Sequence, residues 1–153
     1  MTVCGNHEAD GEIPPHFLFH KARQSVQMLE LEDLVIVGID DSRLEVSDRQ
    51  IQLLLDILKT EKPVIVAMHV PIRTEENAAI LDKCGDYFKL NNENASPSTL
   101  NFIDVLNSHA GQIIAVLAGH LHFGLNSRIT PELMQFVSSQ GILGNINRYE
   151  IGV

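Results

Sequence analysis

Three short runs of aliphatic, mostly β-branched residues constrain this 153-residue chain more than any other feature. They are 34–39 (LVIVGI), 64–68 (VIVAM) and 113–118 (IIAVLA). None shows the alternation of a strand with one wet face, so each reads as a strand covered on both sides. Residues 25–31 do alternate (Val26, Met28, Leu29, Leu31) and pair with 34–39 across the short Glu32-Asp33 turn.

Amphipathic helices fall between the runs. The stretch 47–59 opens with Ser47-x-x-Gln50, a capping-box pattern, and places Ile51, Leu54, Leu55 and Leu58 on one face. The stretch 98–109 has Pro97 at its start, Gly111 beyond its end, and Leu100, Ile103 and Leu106 along one face. After Gly119, segments 123–129, 134–138 and 146–151 read as further strands, and 71–97 stays irregular. Strand–helix–strand units followed by consecutive strands predict an α/β sandwich of mixed sheets, with 1–153 as one domain.

Composition narrows the function. A formal net charge of −9 argues against a nucleic-acid or anionic-membrane surface, both of which need clustered Lys and Arg. No stretch reaches the roughly 20 apolar residues of a membrane span, so a cytoplasmic protein is expected. Cys4 and Cys84 are too few for a disulfide framework or a thiolate zinc site.

Histidine carries the chemistry. Gly5-Asn6-His7-Glu8 follows the short apolar Val3-Cys4, His69 ends the run 64–68, and Gly119-His120-Leu121-His122 follows the run 113–118. Strand C-terminal ends are where α/β folds gather ligand groups. Imidazole suits transition metals, and a carboxamide oxygen such as that of Asn6 is a further donor. If His120-x-His122 is extended, its two rings leave the same face. His109 at a helix end is explained by the helix dipole, and His16 and His20 read as structural or surface residues.

In this order the three blocks resemble the last three signature blocks of the calcineurin-like metallophosphoesterases. His69 stands 62 residues beyond His7, and His120 stands 51 beyond His69. The stretch Val35-Ile36-Val37-Gly38-Ile39-Asp40-Asp41-Ser42 also resembles the strand and Asp-Ser turn of that family. The resemblance implies part of an α/β/β/α sandwich and hydrolysis of phosphate mono- or diesters between two divalent ions (Mn, Fe, Zn or Co). It implies that Asn6, His69 and His120 ligate one ion and His122 the other. His7 would donate a hydrogen bond or proton to the substrate, with Glu8 orienting it.

The family's D-x-H and G-D-x-x-D blocks do not occur; Gly85-Asp86-Tyr87-Phe88-Lys89 has Lys89 where the second Asp belongs. The chain therefore reads as an N-terminally truncated domain, weakly active or inactive alone. It is expected to self-associate through the surface bared by the missing part, bordered by Val3, Cys4, Val35, Ile36, Val37 and Ile65. A non-catalytic protein derived from the same fold, binding a metal or a partner, is the alternative. Retention of His7 beside the ligand set favours the enzyme.

Overall fold

The computed structural model describes residues 1, 3, 5, 6, 25–140 and 145–150. Its strands are β1 Val26–Glu30, β2 Val35–Ile39, β3 Val64–Ala67, β4 Ile113–Ala118, β5 Leu125–Arg128 and β6 Met134–Val137. They form one six-stranded mixed sheet in the order β1-β2-β3-β4-β6-β5. The inner strands β2, β3, β4 and β6 run parallel, and β1 and β5 lie antiparallel at the two edges. All four inner strands therefore end on the same side of the sheet.

The helices are α1 Asp48–Leu58, α2 Ala78–Cys84 and α3 Pro97–Ser108. The capping box expected for α1 is formed: Ser47 Oγ accepts from the Gln50 N–H, and Gln50 Oε1 accepts from the Ser47 N–H at 2.9 Å. The Gln50 amide then donates to the carbonyls of Ser25 and Asp40, which ties α1 to the start of β1 and the end of β2. Ser96 caps α3, with Pro97 in its first turn, where a missing N–H costs nothing.

The core lies between α1, α3 and one face of the sheet. Val35, Val37 and Ile39 of β2 share that face with Val64, Val66, Ile113 and Val116, and Ile51, Leu54, Leu58, Phe102, Val105 and Leu106 cover it. Burying an aliphatic or Phe side chain of this kind contributes about 1.5–3 kcal/mol. The other face carries Ile36, Ala67, Ala115, Leu117, Met134 and Phe136, all half-buried. Met1 and Val3 lie against it at Gly38, and the Tyr149 ring rests on Phe136.

A mixed α/β architecture and the β1–β2 hairpin emerge as expected, and four expectations need correction. Leu100 is 48% exposed; α3 instead buries Thr99, Phe102, Val105 and Leu106, because Phe102 turns the larger apolar group inward. The segment 71–97 is not irregular throughout, since it holds α2 and a 3-10 turn, Asp86–Phe88. With Leu81 as the one buried residue in α2, no apolar periodicity announces that helix. The expected strand 146–151 is absent from 146–150, where Asn147, Arg148 and Glu150 interrupt the apolar residues; Ile151 lies outside the described residues. Val35 and Val37 are fully buried and Ile65 nearly so, thus they border no open surface, whereas Ile36 and Val3 are half-buried and Cys4 lies outside the described residues. No helix of the described residues is long and apolar enough to cross a membrane.

Candidate metal centre

The neighbouring parallel strands β3 and β4 bring His69 and His120 together. Beyond their ladder, the Met68 N–H donates to Leu117 O and the Gly119 N–H donates to His69 O, both at 2.9 Å. His69 Nε2 lies 3.0 Å from His120 Nδ1 and 2.8 Å from Asn6 Oδ1. Asn6 and His120 are buried, and the two imidazoles meet edge-on with centroids 4.8 Å apart.

His69 Nε2 thus has a second ring nitrogen and a carboxamide oxygen close beside it. Ligands bound at the usual 2.0–2.1 Å and at right angles to one another sit about 3 Å apart, so the spacing fits a divalent ion. Proton accounting agrees. His120 Nε2 lies 3.0 Å from the Tyr87 carbonyl, and a carbonyl has no proton to give, so Nε2 carries the hydrogen. In the neutral form of the ring, Nδ1 then presents its lone pair toward His69. Fixing a metal-binding tautomer by a carbonyl on the other ring nitrogen is common at metal sites. Among the described residues no three His, Cys, Asp or Glu side chains gather as a metal site; the cluster is two imidazoles and a carboxamide. An N/O donor set of this kind accepts Mn, Fe, Zn or Co.

The Gly119–His122 segment is not extended. His120 and His122 have φ of 67° and 63°, left-handed conformations that cost a residue with a Cβ roughly 1–2 kcal/mol each. Strain of this kind concentrates at functional sites. The two side chains differ in setting: His120 is buried, whereas His122 is exposed. His7, Glu8, His16 and His20 lie outside the described residues. His109 caps α3, its Nδ1–H donating to Val105 O at 2.9 Å, which is the structural part expected of it.

Sequence reasoning assigned no part to three residues that hold the centre. Asp41, fully buried after β2, accepts the N–H groups of His69 and Val70 at 2.7 Å each, one on each oxygen. Burial pushes its carboxyl up to about 7, while the two N–H bonds pull the other way. Tyr87 touches both Asn6 and His120. Gln135, fully buried on β6, accepts from the Ile72 N–H and donates to Ile72 O, so it clamps the loop that leaves His69. An acid or amide directly after or within an apolar strand was the signal available for Asp41 and Gln135. Lys89 is explained too: it pairs with Asp82 and Asp86 at 2.9 and 3.0 Å and fastens the 3-10 turn to α2.

No protein-family model matches the chain, and no curated protein does. Among solved structures it is similar to a provisionally named 5'-nucleotidase from Staphylococcus aureus, determined in complex with alpha-ketoglutarate. The two share 11% identity with a TM-score of 0.45 over 76% of this chain, which spans 24% of that one.

Proposed function

We propose that the chain holds one divalent transition-metal ion through Asn6 Oδ1, His69 Nε2 and His120 Nδ1, and serves metal-dependent hydrolysis of a small-molecule phosphate ester. The observation that carries this reading is that His69 Nε2, beyond one of two adjacent parallel strands, lies 3.0 Å from His120 Nδ1 beyond the other and 2.8 Å from Asn6 Oδ1. The reaction class comes from the motif order GNHE, His69 and GHLH. When bound, the ion supplies Lewis acidity toward a phosphoryl oxygen. The chain's own residues do the rest. Asp41 and Gln135 fix the backbone around His69, the Tyr87 carbonyl keeps the proton on His120 Nε2, and His7 offers a proton to the departing oxygen. His122 is assigned to a second ion, and the D-x-H and G-D-x-x-D blocks that would complete its site by resemblance do not occur in the sequence.

Titration of the purified chain with Mn2+ or Co2+ tests the binding. His69→Ala and His120→Ala should each weaken it at least tenfold, with His109→Ala unchanged; equal effects at all three positions would sink the assignment. Turnover of an aryl phosphate should be low for the chain alone and rise by orders of magnitude when a segment bearing D-x-H and G-D-x-x-D is supplied. Robust turnover by the chain alone, abolished by His7→Ala, would contradict the need for that segment.

A further inference from the structure

We propose that Tyr87 is a positioning residue that orients two of the three candidate metal ligands at once, Asn6 through its phenol oxygen and His120 through its main-chain carbonyl. This rests on the metal-binding reading above. The Asn6 amide nitrogen donates to Tyr87 Oη at 2.8 Å, and the opposite end of the same carboxamide, Oδ1, lies 2.8 Å from His69 Nε2. A carboxamide has one useful ligand end. Turned over, it would present its NH2 group to the ion, and an NH2 cannot ligate. Accepting from the NH2 end, the phenol oxygen holds the carboxamide in place with Oδ1 toward His69. From the same residue, the carbonyl accepts His120 Nε2–H at 3.0 Å and leaves Nδ1 bare.

The turn that presents Tyr87 is built for the purpose. Gly85 enters it with φ of 99°, which a residue with a Cβ rarely adopts. Lys89 closes it by pairing with Asp82 and Asp86. The rings of Tyr87 and Phe88 both lie against His120, with centroids 5.2 and 5.1 Å away. Tyr87 itself is 47% exposed, so the residue is not a core side chain.

Co2+ binding, followed by titration and by the visible absorption of the bound ion, tests this without reference to turnover. Tyr87→Phe removes only Oη. It should weaken Co2+ binding about tenfold, as losing a group that orients a ligand commonly does, and shift the Co2+ spectrum toward that of Asn6→Ala. The thermal midpoint of the metal-free chain should stay unchanged, which separates positioning from folding. The decisive arm is Asn6→Ala, which removes the side chain that Tyr87 Oη would orient. In that background Tyr87→Phe should be silent. Unaltered binding and spectrum in Tyr87→Phe, or an equal loss in the Asn6→Ala background, would overturn the proposal. Failure of His69→Ala and His120→Ala to affect Co2+ would instead overturn the metal site itself.

Discussion

Asp41 shows how a residue with no ligand role can govern a site. Its two oxygens each take one N–H, from His69 and Val70, inside a fully buried setting. Asn can accept only one of those bonds and sets an NH2 group against the other donor. A buried donor left unsatisfied costs about 1–3 kcal/mol. We therefore expect Asp41→Asn to lower unfolding stability in urea by about 2 kcal/mol, and to weaken Co2+ binding by moving the His69 backbone. Unchanged values in both measurements would assign Asp41 no part in the centre. At this scale the sequence made the ligand candidates legible, because their identity lies in residue type and order. The histidine tautomers, the left-handed backbone at His120 and His122, and the contacts of Tyr87 were not legible. Each depends on what a remote segment places opposite.

Among the elements, β2, β3 and β4 were the easiest to read, since four to six mostly apolar residues in a row leave few alternatives to a buried strand. The face of α3 was harder: Leu100, Ile103 and Leu106 and the observed Thr99, Phe102, Val105 and Leu106 both satisfy helical spacing. The consequence is measurable. Leu54→Ala in α1 should cost about 2–5 kcal/mol, whereas Leu100→Ala should stay within about 0.5 kcal/mol; urea unfolding of the two variants compares them. The link between α2 and the 3-10 turn should respond to acid. Hydrogen bonds from Arg73 and Lys89 hold the Asp82 carboxyl well below the usual carboxylate range. A depressed folded-state pKa gives stability that is present above the ordinary carboxylate pKa and lost as pH falls through the lower value. Since Asp82 is exposed, the loss should be small. Wild type and Asp82→Asn should have closest urea midpoints in strong acid and diverge as pH rises toward the ordinary carboxylate range, above which the offset stays constant; an offset that is the same throughout would show that the ion pairs add nothing.

Across the whole molecule, the two faces of the sheet differ in what the sequence reveals. Helix patterns declare the α1–α3 face, while the opposite face is met by Met1, Val3 and Tyr149, whose short segments carry no periodicity. Gly38 is where the N-terminal segment crosses that face: a Cβ there would stand 3.4 Å from Met1 Sδ and Val3 Cγ2. Gly38→Val should push the segment away and carry Asn6 with it, lowering Co2+ affinity while the helix-side core stays folded. Circular dichroism with a Co2+ titration separates the two, and full affinity would rule out the coupling. The strand order also sets a timetable. The pairs joined by short turns, β1–β2 and β5–β6, lie at the edges, while β3 and β4 must find each other across a 45-residue connection, 68–112. Distant pairings are slow to form because the loop must close before contacts repay it. His69 and His120 sit on that slow pair. Metal capture during refolding should therefore coincide with the last phase of assembly, so that a chain still under construction carries hairpins and helices but no trap for an ion.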